Sequence, residues 1–197
     1  MTTIAGGIIT LEYAATGMNY APATVGTGPY AARDADLIAY VQAATPIIED
    51  IAGPVLPGSR SQKFDGGETA ILLPFVASSV TSVYEGNNAT PLVQGTDYRF
   101  DPFANQIVGG GFNYLRMFMP GTLSINITYA VGFSPIPMNL QLGTRELVRF
   151  WVEQGNQAQR PAYGDQVESM AWTPQGFAVP KRVIQLCAPN RKLGGFA

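Results

Sequence analysis

Histidine is absent from all 197 residues, and cysteine occurs once, at Cys187. The first absence removes His-dependent general-base catalysis, Ser–His–Asp and Cys–His nucleophile pairs, and the commonest metal-binding side chain. The second excludes an internal disulfide and a Cys-based zinc site. Cys187 closes the run Val183-Ile184-Gln185-Leu186-Cys187, where a small buried apolar residue is expected rather than a reactive thiol. With no disulfide framework, production in a reducing, intracellular setting is expected.

Charge is scarce as well. Charged residues make up 13% of the chain, with a net charge of −2, against about 25% in an ordinary globular protein. A low-charge surface with 22 Gly and 15 Pro suits a subunit that covers much of itself with neighbours. Long hydrophobic runs are missing too. The apolar stretch from Ile4 to Leu11 is broken by Gly6 and Gly7, and no basic residue precedes Arg33. Neither a signal peptide nor a membrane span is expected there. Asn88-Ala89-Thr90 and Asn126-Ile127-Thr128 match the glycosylation pattern, but without a secretory signal they are chance matches.

What is present is a layout of two helical segments around a block of strands. Residues 1–32 are rich in Ala, Gly, Thr and Tyr and read as an arm, with a short strand around Ile8 to Tyr13. Val25-Gly26-Thr27-Gly28-Pro29 looks like a glycine loop, but it lacks a βαβ context, so a linker is expected. Asp34 and Asp36 stand where a helix cap and a first-turn acid belong. Leu37, Ile38, Val41, Ala44, Ile48 and Ile51 then recur at helical spacing up to Gly53-Pro54. Pro46 either kinks this helix or, with Thr45 as cap, starts a second one.

From Ser59 the period changes to that of strands. Candidates are Gln62–Phe64, Thr69–Leu73, Ser79–Tyr84, Thr96–Phe100, Gln106–Val108, Leu115–Met119 and Thr122–Val131. Short strands joined by tight turns predict a small antiparallel sandwich or barrel. Asn139 is then the expected cap of a helix whose apolar face is Leu140, Leu147, Val148, Trp151 and Val152. Residues 155–178 read as a loop, and Pro180 opens a last short helix. The fold class is thus α+β: a small helical bundle with helices near 34–52, 139–154 and 180–188, an inserted antiparallel β domain, and extended terminal arms. The expected divisions are an arm over 1–32, a helical core from 33–58 and 134–190, a β insert over 59–133, and a tail over 191–197.

No catalytic centre is expected. Asp34/Asp36 and Glu49/Asp50 are carboxylate pairs of the kind used in glycoside hydrolysis, but helix capping accounts for the first and a solvated helix end for the second. Asp65, Asp97 and Asp101 fall at turns and strand ends, where Asp is common, and no calcium-loop run exists. No cofactor or metal is therefore expected. The alternative to a structural subunit is a β-sandwich binding module. Its Tyr84, Tyr98, Phe103, Phe112, Tyr114 and Phe118 would take a glycan or peptide, although strand aromatics are more often core or subunit interface.

One ordered series of motifs runs through residues 34–190. It comprises Gly66-Gly67, Leu73-Pro74, Ser79-Val80-Thr81-Ser82-Val83, Gly95-Thr96-Asp97-Tyr98 and Ile127-Thr128-Tyr129-Ala130-Val131-Gly132-Phe133. It continues through Ile136-Pro137-Met138-Asn139-Leu140 and ends at Val179-Pro180-Lys181-Arg182-Val183, with Leu186 and Pro189 following. This series resembles the head-to-tail connector (adaptor) proteins of tailed bacteriophages. The resemblance implies a structural virion protein of the head–tail neck, made in the host cytoplasm. In that family it forms a homo-oligomeric ring, usually of twelve copies. The ring docks under the portal protein, bridges to a neck, stopper or tail-completion protein, and encloses a conduit for double-stranded DNA without reading its sequence.

The helices would form the ring wall and the strand block a projecting domain, with no membrane partner. A conduit must let DNA slide, and a net charge of −2 avoids the tight phosphate hold of a strongly basic lining. After Glu168 every charged residue is a cation. That makes the C-terminal segment the candidate portal or neighbour interface, carried by Lys181, Arg182, Arg191, Lys192, Leu193 and Phe196.

Overall fold

The computed structural model describes residues 4–18, 31–158 and 179–190. Its architecture is α+β, with the helices and the strands in two compact units, one taking in Met1–Ile51 and Pro137–Asn190, the other Ala52–Ile136.

In the helical unit, α1 (Leu11–Thr16) replaces the strand expected around Ile8 to Tyr13. Thr10 is its cap, its side chain accepting the Tyr13 amide at 3.3 Å. Leu11, Ala14 and Ala15 are buried, together with Ile4, Ile8 and Ile9 before them. The described part of the N-terminal segment is therefore packed rather than extended. The Gln42 side-chain amide also donates to the Ala5 carbonyl at 3.1 Å.

Helix α2 (Ala31–Ala52) buries Leu37, Val41, Ala44 and Ile48 along one stripe. It begins at Ala31, so Asp34 stands in the first turn and is no cap; its buried carboxylate pairs with Arg33 at 3.2 Å. Pro46 lies inside this one helix on its exposed side, and Thr45 donates back to the Val41 carbonyl at 2.9 Å instead of capping a second helix. Gly53, at φ +85°, supplies the left-handed residue that stops the helix.

Helix α3 (Met138–Ala158) buries Leu140, Leu147, Val148 and Trp151. Its first turn is closed by the Pro137 carbonyl, which accepts the Leu140 and Gln141 amides at 3.1 and 3.2 Å. Asn139 is thus inside the helix. Its side chain donates 2.9 Å to the Leu186 carbonyl of α4 (Lys181–Cys187), tying the two helices together. A 3-10 turn, Ala188–Asn190, follows.

The second unit holds six strands: β1 (Gly58–Phe64), β2 (Ala70–Leu72), β3 (Ala77–Glu85), β4 (Tyr98–Asp101), β5 (Gln106–Gly109) and β6 (Ile125–Val131). They form two antiparallel sheets, β1-β6-β3 and β2-β5-β4. Alternation along β6 buries Ile125, Ile127, Tyr129 and Val131. These share one core with Val83 of the same sheet and with Ile71, Tyr98 and Ile107 of the other, as a sandwich requires. Asn105 fixes the corner between β4 and β5 at φ 54°. Its side chain donates to the Leu73 and Phe75 carbonyls at 2.7 and 2.9 Å and accepts the Ala77 amide at 2.9 Å.

Residues 115–119 do not form the expected strand. Their amides go to three unrelated acceptors: Arg116 to the Gly109 carbonyl, Phe118 to that of Glu68, and Met119 to the Glu85 carboxylate. Bonds scattered over three partners cannot build a ladder.

Candidate functional site

Among the described residues, no group of three His, Cys, Asp or Glu side chains could hold a metal ion, and no helix is long and apolar enough to cross a membrane. Cys187 is buried, as its apolar run predicts, and burial pushes its thiol pKa up. A Cβ on Gly143 of α3 would sit 3.2 Å from the Cys187 sulfur, so the thiol serves packing between α3 and α4.

The expected aromatic set splits in two. Tyr98 and Phe118 are core residues, which corrects their reading as exposed ligand contacts. Phe103, Phe112 and Tyr114 are exposed, and Tyr84 is half-buried. A surface-binding function, if carried by aromatics, rests on the residues of the 103–114 region.

A second exposed apolar surface lies just beyond them. Leu115, Met117, Met119 and Leu123 are each more than half exposed, forming an apolar ridge on a segment that is not a strand. Exposed apolar residues this concentrated mark interaction sites. The ridge is also held in place. Arg116 Nε donates to the Asp97 carbonyl at 3.1 Å, and its terminal nitrogen pairs with Glu85 at 2.8 Å. Leu123 donates its amide to Asp65 at 2.7 Å, and the Ser124 hydroxyl reaches the Met119 carbonyl at 2.9 Å.

Beneath the ridge, Gly67 and Gly66 donate to the Phe118 and Gly121 carbonyls at 3.0 and 2.9 Å. A Cβ on Gly66 would collide with the Met119 carbonyl. A pre-ordered apolar ridge loses little entropy when a partner covers it, and thioether side chains adapt to an imperfect fit.

In the sequence, Leu115–Met119 reads as a strand with Phe118 among its exposed aromatics, so the ridge was missed. The core instead takes Phe118.

Of the expected interface residues, Lys181 and Arg182 lie exposed in the first turn of α4, beside the partly exposed Ile184. Cations at a helix N-terminus oppose the helix dipole at a cost of about 0.3–1 kcal/mol each, so helix stability does not account for them. Arg191, Lys192, Leu193 and Phe196 lie outside the described residues.

No protein-family model matches the chain, and no curated protein matches it. Solved structures do. A chain in the neck of an empty GTA particle, computed with C6 symmetry, aligns at TM-score 0.61 and 17% identity, covering 100% of this chain and 95% of that one. A chain of the native gene transfer agent virion aligns at 0.61 and 18%, with the same coverage. One in the native neck, computed with C12 symmetry, aligns at 0.51 and 20%, over 90% and 96%. At these identities the likeness is one of fold.

Proposed function

We propose that this chain is a structural, non-enzymatic neck protein of a phage-like particle, and within that class a head-to-tail adaptor. In this reading identical copies, usually twelve, form a ring under a portal protein and hand over to a stopper or tail-completion protein. Double-stranded DNA passes through without sequence recognition. The protein is made in the host cytoplasm and resides in the virion neck.

The observation that supports the proposal is the likeness in fold along the whole chain to a chain from the neck of a GTA particle and to one from a gene transfer agent virion. The C6 and C12 symmetries used for those necks favour a ring of identical copies. The pinned apolar ridge supports it as a surface made ready for a neighbour. The α4 cations Lys181 and Arg182, with Arg191, Lys192, Leu193 and Phe196 beyond them, are assigned to portal or neighbour contact. The helical segments are assigned to the ring wall and the β unit to a projecting domain.

The test is electron microscopy of the chain mixed with its portal. A ring of identical subunits on the portal is expected. A chain that stays off portal rings at every concentration tried would defeat the proposal. A chain ending at Pro189 is expected to fold yet fail to attach, and normal attachment would remove the C-terminal segment from the interface.

A further inference from the structure

The outer face of the β2-β5-β4 sheet carries a cavity of about 520 Å³ that the neck reading leaves without a role. Strand register builds its floor: Arg99 stands opposite Val108, and Asp101 opposite Gln106. Tyr98 and Ile107, the alternate residues, point into the core. Gln94 and Phe112 complete the wall. Pockets that hold small groups commonly span about 300–1,000 Å³.

Arg99 sets the chemistry. Its guanidinium carbon lies 5.7 Å from the centroid of the Phe112 ring. Among the described residues its side chain has no ion pair, and its Nε is shielded from water with no hydrogen-bond partner. Asp101, the acid in the wall, is already engaged: its Oδ1 accepts the Phe103 and Ala104 amides at 2.9 and 3.2 Å. A guanidinium steadied by an aromatic face, with its donor fork unspent, matches a planar carboxylate. Val108 and Phe112 offer hydrocarbon beside it, and the Gln94 and Gln106 amides can both donate and accept.

We infer that this cavity docks an acidic side chain, flanked by apolar residues, on a peptide segment of a partner protein. Charge complementarity selects that occupant. Arg99 is the one cation in the lining, enough for one carboxylate, while Asp101 repels every anion there and so penalises a run of phosphates more than a single charge. The pocket's chemistry is independent of whether the chain forms a ring.

The experiment is an NMR titration of the ¹⁵N-labelled full chain with the probe acetyl-Leu-Glu-Leu-amide. Saturable shifts are expected at the amides of Arg99, Val108 and Phe112 and at the Arg99 Nε–H signal. The twin peptide with Gln in place of Glu should bind at least ten-fold more weakly, a comparison that needs no variant. Arg99→Gln should also weaken the Glu peptide at least ten-fold, with Arg99→Lys intermediate. Equal binding of the two peptides, or shifts confined elsewhere, overturns the inference. Acetate alone binding as tightly as the peptide makes this a free-anion site and overturns the peptide assignment. A short DNA duplex that competes better than the Glu peptide overturns it in favour of nucleic acid.

Discussion

Glu85 and Arg116 form an ion pair at 2.8 Å in which the carboxylate is 9% exposed and the guanidinium 30%. The same Glu85 oxygen accepts the Met119 amide at 3.1 Å. One carboxylate at the end of β3 thus holds two points of the ridge segment. Breaking a fully buried pair costs about 3–5 kcal/mol, but Arg116 retains contact with water. A loss of about 2 kcal/mol is therefore expected for Glu85→Ala, read as a lower urea midpoint, with Glu85→Gln losing less. An unchanged midpoint would mean that the other bonds alone anchor the segment.

Two glycines separate close approach from backbone conformation. Gly53 has φ +85° with nothing within 4 Å of an added Cβ, so Gly53→Ala carries only the left-handed backbone cost, about 1 kcal/mol. Gly66 has the opposite problem: its Cβ would enter the Met119 carbonyl, which is backbone and cannot swing aside. Gly66→Ala is expected to cost about 3 kcal/mol, the upper end of ordinary overpacking. Equal melting of the two variants would contradict the close contact between residue 66 and the ridge.

Stability should fall in alkali. Burial pushes the phenols of Tyr98 and Tyr129 above their ordinary value, and at Tyr129 the Arg60 charge offsets part of the rise. Tyr129 also donates its hydroxyl to Gln62. The folded state holds these protons more tightly than the unfolded chain. Their contribution is therefore complete below about pH 10 and is lost as pH rises through the higher folded values. Cys187, raised by burial in the same direction, adds the same sign from about pH 8.5. Urea midpoints are expected to decline above about pH 8.5 and more steeply above about pH 10, and Tyr129→Phe to soften the second decline. A flat profile to pH 11 would contradict the buried, neutral state of these groups.

Trp151 is buried on α3, with its ring centroid 6.3 Å from that of Tyr40 on α2. Trp151→Ala is expected to destabilise the helical unit by about 3–5 kcal/mol. Melting like that of a surface variant would show that this ring does not join the helices.

Elements were legible in the sequence where periodicity was long or strict. Leu37, Val41, Ala44 and Ile48 mark one helix face, and Ile125, Ile127, Tyr129 and Val131 mark one strand face, because burial repeats the backbone period. Helix α1 was not legible: six residues carry less than two turns of pattern, and its helicity rests on the Thr10 cap and on packing partners distant in the chain. Asn139 misled for a related reason. Asn before an apolar run fits a cap, but the Leu186 carbonyl, 47 positions away, claims its side chain. The ridge was hidden by its own alternation. The spacing of Leu115, Met117 and Met119 states that they share a face, and only the fold decides which face meets water.

That ridge yields the prediction most specific to function. Leu115→Ser combined with Met117→Ser removes two apolar side chains that are more than half exposed, so little folding free energy depends on them, within about 0.5 kcal/mol for each. The segment stays anchored, because its bonds run through the backbone of residues 116, 118 and 119 and through the Arg116 and Glu85 side chains. Assembly should suffer instead. A hydrophobic side chain buried at an interface contributes about 1.5–3 kcal/mol, so on the proposed neck role losing two should weaken association with sister copies or portal by well over ten-fold. Mass photometry of the mixture, alongside urea melts of the free chain, separates the two effects. Normal assembly with normal folding would show that the ridge stays in solvent and that the proposed contacts lie elsewhere.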